Sequence, residues 1–127
     1  MDLGLKGKKA IILGGSRGIG WHTAELLATE GATVAICARE EARLTEAVAE
    51  LVSKTKNKNH FGDVADLENA ESTKAFVTKA ISALAGLDIL IHNASGFDND
   101  GSEEGWVRSF QVDMMAGVRA AEAAIPE

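Results

Sequence analysis

The chain has 127 residues, 46% of them hydrophobic and 25% charged, which excludes a disordered, collagen-like or disulfide-stapled chain and suffices for one domain with its own core. Thirteen Lys and Arg against nineteen Asp and Glu leave a net charge of −6, which excludes a general nucleic-acid binder. The single cysteine, Cys37, excludes an internal disulfide, and no apolar run reaches the roughly 18–20 residues of a membrane span.

In chain order, the first apolar run is Ala10 to Leu13, which reads as a strand. A glycine-rich turn, Gly14 to Gly20, follows it and opens a helix that Gly31 is placed to stop. Thr33 to Ala38 reads as a second strand. Leu44, Val48, Leu51 and Val52 recur at helical spacing behind it. A weaker strand is expected at His60, Phe61 and Gly62. Asp66 is the expected N-cap of a third helix, whose apolar stripe is Phe76, Val77, Ala80, Ile81 and Leu84, with Gly86 just past its end. Ile89 to Ile91 reads as a fourth strand, followed by a polar loop from Gly96 to Gly105. Ser102 is the expected cap of a fourth helix, with Glu103 and Glu104 in its first turn. Trp106, Phe110, Met114, Val118, Ala121 and Ile125 form the stripe expected to pack that helix on the sheet. Continuous apolar strands alternating with amphipathic helices predict an α/β fold, a doubly wound parallel sheet with right-handed crossovers. Ligands are then expected at the carboxyl ends of the strands.

The strongest chemical signal is Leu13-Gly14-Gly15-Ser16-Arg17-Gly18-Ile19-Gly20, set between a strand and a helix. Gly14 allows the tight turn, Gly18 clears the backbone for a pyrophosphate, and Gly20 permits close packing of the helix. The free N–H groups and positive dipole end of that helix suit phosphates. Other matches carry less. Asn93-Ala94-Ser95 fits a glycosylation sequon that a cytoplasmic chain does not use. Asp98-Asn99-Asp100-Gly101 fails as a calcium loop, since its sixth position is Glu103 and its twelfth Ser109. His22, His60 and His92 fall in different elements, so no metal site is expected. Cys37 reads as a small buried hydrophobe.

The Gly-x-x-x-Gly-x-Gly spacing resembles that of the short-chain dehydrogenase/reductase family. So do Asp63-Val64 after the third strand, Leu87-Asp88-Ile89-Leu90-Ile91 in the fourth, His92-Asn93-Ala94-Ser95 closing it, and Trp106 with Asp113 seven residues on. The resemblance runs from Leu3 to Pro126 and implies a Rossmann-type sheet of order 3-2-1-4. It assigns cofactor contacts to Gly14, Ser16, Arg17, Gly18, Ile19, Gly20, Asn93, Ala94 and Ser95. It gives the adenine ring to Asp63 and Val64. At the end of the second strand an NAD site carries an acid, but here Ala38 is followed by Arg39. Arg39 and Arg17 suit the 2′-phosphate of NADP(H), the cofactor the resemblance then implies. A blander role for Arg39 is to solvate a helix start.

Four positions depart from the family pattern. Leu13 replaces a threonine, removing a side-chain tie between the first and fourth strands. His92 and Ser95 replace Asn and Gly. Asp113 replaces the asparagine of the catalytic tetrad, and a carboxylate cannot donate as an amide does. The family's Tyr-x-x-x-Lys pair and serine lie beyond the fourth helix, in members about twice this long, and this chain has no tyrosine.

Residues 1–127 thus read as a single, partial NADP-binding domain, cut after the fourth helix, where Ile125-Pro126-Glu127 lacks a glycine cap. The parent is expected to be a cytoplasmic oxidoreductase, with no apolar signal segment after its charged N-terminus. It would exchange hydride between nicotinamide and a small-molecule carbonyl or alcohol, with the chain alone inactive. It is expected to bind neither nucleic acid nor membrane, and to associate with a second copy or with the missing C-terminal half. The alternative is a non-catalytic nucleotide-binding or interaction module. A methyltransferase on a similar sheet would want an acid where Ala38 and Arg39 stand.

Overall fold

The computed structural model describes residues 2–95 and 101–126. Strands β1 (Lys9–Leu13), β2 (Thr33–Ala38), β3 (Phe61–Val64) and β4 (Ile89–His92) form one parallel sheet of order β3-β2-β1-β4. Between them run α1 (Gly18–Thr29), α2 (Glu41–Thr55) and α3 (Ala70–Leu84). After β4 come α4 (Glu103–Ser109), a π-helical segment (Phe110–Met115) and α5 (Ala116–Ala124), end to end. This is the expected architecture and strand order. Residues 96–100 of the expected polar loop, including Asp98, Asn99 and Asp100, lie outside the described residues.

The central strands read as continuous apolar runs because both faces of the sheet are covered. Side chains alternate across the sheet. Ile11, Leu13, Ala35 and Cys37 face Phe76, Val77, Ala116 and Ala120 on α3 and α5. Ala10, Ile12, Val34 and Ile36 face Ala24, Ala28, Leu44 and Leu51 on α1 and α2.

Three local expectations change. The third helix is capped by Asn69, whose side chain accepts from Ser72 N–H at 2.9 Å, and not by Asp66. Asp66 closes its own turn instead, accepting from Glu68 N–H at 3.0 Å, so the helix starts later. Gly31 ends α1 in a left-handed conformation (φ 97°), as expected. At the end of α3, however, Ala85 takes that conformation (φ 59°) and Gly86 follows it. Gly86 N–H reaches back to Ile81 O and Ala85 N–H to Ser82 O, a bonding pattern that places the left-handed residue at Ala85.

The largest change is on the last helix. Trp106, Phe110, Met114 and Ile125 are half or more exposed, so this stripe does not pack on the sheet. Gly105, Val112, Ala116, Ala120 and Ala124 do. Ala116 N–H bonds to Gln111 O, five residues back, and this widened turn resets the phase of the helix. Its small side chains let α5 lie close against α3.

His60 precedes β3 and is buried. Its Nδ1 accepts from Val34 N–H at 3.1 Å, so Nε2 carries the proton and donates to Thr55 Oγ1 at 2.9 Å. Thr55 passes its own proton to Leu51 O at 2.7 Å. A ring nitrogen thus replaces a strand carbonyl beyond the first β2–β3 pair. Burial holds the His60 pKa below its usual 6.5. The unfolded chain therefore binds a proton, as pH falls through that value, which the folded ring refuses. Stability is expected to be full above about pH 6.5, to decline below it, and to level once the folded ring itself protonates. Urea midpoints between pH 7.5 and pH 5 check this. A His60→Gln variant should flatten the slope, and an unchanged slope would refute the assignment.

Candidate functional site

The carboxyl ends of the strands open into a cleft of about 560 Å³. The glycine turn after β1, the end of β2, the turn before α3, the end of β4 and one wall of the last helix all line it. Gly14, Ser16, Arg17, Gly18, Ile19, Arg39, Asn93, Ala94 and Ser95 all reach this lining, so most of the expected site residues converge.

Gly14 needs its glycine twice over. Its φ is 82°, and a Cβ there would meet Ala94 at 3.0 Å. Gly20 lies behind the cleft, where a Cβ would come within 2.2 Å of Gly14 O and 2.6 Å of Asn93 Nδ2. It therefore sets the seat of α1 and does not itself line the site. Gly18 is the opposite case. A Cβ there would meet nothing within 4 Å and would project into open space. No side chain caps α1, and its first turn holds no acid. α3 and α4, by contrast, are capped by Asn69 and Ser102. An uncapped N-terminus facing a cleft fits an anionic phosphate.

The tie lost with the threonine is made from the other strand. Asn93 N–H bonds to Leu13 O at 3.2 Å, and Asn93 Nδ2 donates to Gly14 O at 3.0 Å. Leu13 itself is fully buried in the core.

The end of β2 carries no carboxylate. Ala38 is half-buried, Arg39 is exposed, and Arg17 faces the same cleft. Neither guanidinium has an ion pair or hydrogen bond among the described residues. Glu40, next in sequence, is engaged with Arg43, at 3.6 Å. Arg43 also lines the cleft, and its place one helical turn after Arg39 was a signal in the sequence. Cys37 reaches the lining too. Burial pushes its thiol up to about 11, so it is a neutral contact and not a nucleophile.

Asp63 and Val64 are the last two residues of β3, opposite Cys37 and Ala38, and not beyond it. Neither lines the cleft. Asp63 Oδ1 accepts from Val64 N–H at 2.9 Å, and Oδ2 pairs with Lys79 at 3.3 Å. Beside them Ala65, Leu67 and Val112 supply an apolar wall, and Glu68 pairs with Arg108 at 3.4 Å. No sequence signal joined Glu68 to Arg108.

Asp113 sits in the π-helical segment, exposed and outside the lining. Its main-chain oxygen lies 3.0 Å from His92 Nε2. A carbonyl only accepts, so that nitrogen carries the proton. Two of the departures from the family pattern thus touch each other. Among the described residues no group of three or more His, Cys, Asp or Glu could hold a metal ion, and no helix is long and apolar enough to cross a membrane.

A sheet of this order, with a glycine turn and an uncapped helix at its carboxyl edge, defines a dinucleotide-binding α/β protein. The family model described as short chain dehydrogenase matches residues 8–127, and the chain belongs to that family. It is 36% identical over 112 residues to a glucose 1-dehydrogenase of Gluconobacter oxydans, covering 88% of this chain and 42% of that one. L-Sorbose reductase from Gluconobacter frateurii, solved with NADPH and L-sorbose, superposes with a TM-score of 0.91 at 35% identity, over 99% of this chain and 49% of that one. A short chain dehydrogenase from Burkholderia cenocepacia in complex with NADP gives 0.90 at 31% identity, over 97% and 51%. The chain spans about half the length of the curated relatives it matches.

Proposed function

We propose that this chain is the NADP(H)-binding half of a short-chain oxidoreductase that moves hydride between nicotinamide and a small-molecule carbonyl or secondary alcohol. The observation that carries the reading is the pair Arg17 and Arg39, two uncommitted guanidiniums in a cleft whose second strand ends in Ala38. A 2′-phosphate is the ligand group that two such donors fit. The named cofactors of the two solved relatives support it.

The nicotinamide cofactor supplies the hydride when bound. This chain's residues bind and orient it. Gly14, Ser16, Gly18 and Ile19 present main-chain groups to the pyrophosphate, with the α1 N-terminus behind them. Gly20 seats that helix. Asn93, Ala94 and Ser95 form the opposite wall. Asp113 holds the helix asparagine's place as an acid, with its main-chain oxygen fixed by His92. The whole protein acts in the cytoplasm in this reading, as an oligomer or with further chain bound to this half.

Fluorescence titration tests the assignment. NADPH should bind about tenfold or more tightly than NADH, as one charge-assisted contact of roughly 1.5–3 kcal/mol requires. Binding of neither dinucleotide would overturn the reading. The same sample should consume no NADPH with any carbonyl in a panel. The family's proton donor is a tyrosine, the chain has none, and general acid catalysis is worth about 10²–10⁴-fold. Steady turnover by homogeneous protein would show another acid at work.

A further inference from the structure

The base of the dinucleotide has no reader at the place the family resemblance assigns. Both oxygens of Asp63 are engaged, one by the N–H of its own neighbour and one by Lys79. Val64 N–H, the donor beside it, is held by that same carboxylate. Neither residue reaches the cleft lining. Five residues further on, the chain returns to the cleft with a different polar pair. Glu68 leaves the turn before α3, Arg108 leaves α4, and the two meet at 3.4 Å, each side chain a little over one-third exposed. Both line the cleft.

The surroundings fit a flat base. Ala65, Leu67 and Val112 are buried or nearly so and give the wall its apolar surface. An apolar slot with a few convergent polar groups at its rim is how proteins hold a small planar ligand. Adenine presents, along one edge, an amino group that donates and ring nitrogens that accept. Glu68 only accepts and Arg108 only donates. The pair therefore offers the complement of that edge, with each partner's charge offset by the other. The hypoxanthine ring differs in one respect that matters. Its 6-position is a carbonyl oxygen, which would face the Glu68 carboxylate with no proton between them.

We propose that the Glu68–Arg108 ion pair, and not Asp63, reads the adenine base of the bound dinucleotide and makes the cleft selective for a 6-amino purine. This inference rests on the dinucleotide reading given above. It assigns to Glu68 and Arg108 a specificity role, and to Asp63 a structural one as the partner of Lys79 and of its own backbone.

The test is fluorescence titration of the full chain with NADPH and with its hypoxanthine analogue. The wild type should prefer NADPH by about tenfold or more, the worth of a hydrogen bond to a charged group. Glu68→Gln, whose amide can donate to the carbonyl, should remove most of that preference. Arg108→Met should weaken both dinucleotides and narrow the gap between them. Asp63→Asn should leave the preference unchanged. Both side chains of the pair are partly exposed and outside the core, and circular dichroism of each variant verifies the fold. Preference lost in Asp63→Asn and kept in Glu68→Gln would overturn the proposal and return the base to Asp63. Equal binding of the two dinucleotides by the wild type would overturn it as well. Binding of neither dinucleotide would instead refute the cofactor reading, and this inference with it.

Discussion

Arg39→Asp is expected to weaken NADPH binding by about tenfold to 100-fold while leaving NADH equal or better. The arginine stands at the cleft, exposed and without a partner, so its whole donor capacity is available to a phosphate. Its removal costs one charge-assisted contact of roughly 1.5–3 kcal/mol. The new carboxylate then repels a dianion, and the same carboxylate can accept from the free ribose hydroxyl of NADH. Because Arg39 is exposed, salt should narrow the wild-type gap, with a screening length of about 8 Å at physiological ionic strength. Titrations of both cofactors, at low and high salt, check each part. Equal affinities in the wild type, unmoved by the substitution, would remove the case for a 2′-phosphate at this end of the cleft.

The second large effect is on assembly. In a sample of this chain alone, species larger than 13.3 kDa are expected. Trp106 is 75% exposed, Met114 58% and Phe110 50%, and all three lie on the outward face of the last helix with Val107, Val118 and Ile125. An apolar stripe of this length is seldom left open in a soluble monomer. β4 adds to it, since among the described strands only β1 pairs with it and Ile89 to Ile91 are only half-buried. The partner at hand in such a sample is a second copy. Phe110→Glu combined with Met114→Lys changes two exposed positions and leaves the alanine face intact. Light scattering should show the pair of substitutions converting the associated chain to a monomer. A wild-type chain that stays monomeric at high concentration would refute this.

What was legible in the sequence was whatever one element decides alone. The runs Ala10 to Leu13 and Thr33 to Ala38 announce buried parallel strands because both their faces need covering. The glycine turn announces its own geometry, since Gly14 needs both φ freedom and an absent side chain. Ala38 followed by Arg39 is a local statement about charge. The face of the last helix was not legible. Its stripe has good periodicity, but one widened turn shifts the phase, and alanines win the buried side because α3 lies close. The polar rim of the cleft was illegible for another reason. Glu68 and Arg108 are 40 positions apart, and only the packing of the last helix brings them together.

The hydrogen bonds from Asn93 have a consequence for how the cleft fills. They run from the end of β4 to the main chain of Leu13 and Gly14, and Gly20 seats α1 against the same amide. The phosphate-facing turn is thereby braced from the neighbouring strand before any ligand arrives. Little backbone entropy is left to lose there on association, which is the meaning of preorganisation. Capture then requires no slow rearrangement of that turn. Differences in affinity among cofactors fall on how long each one stays, and residence time is set at the arginines and the base edge.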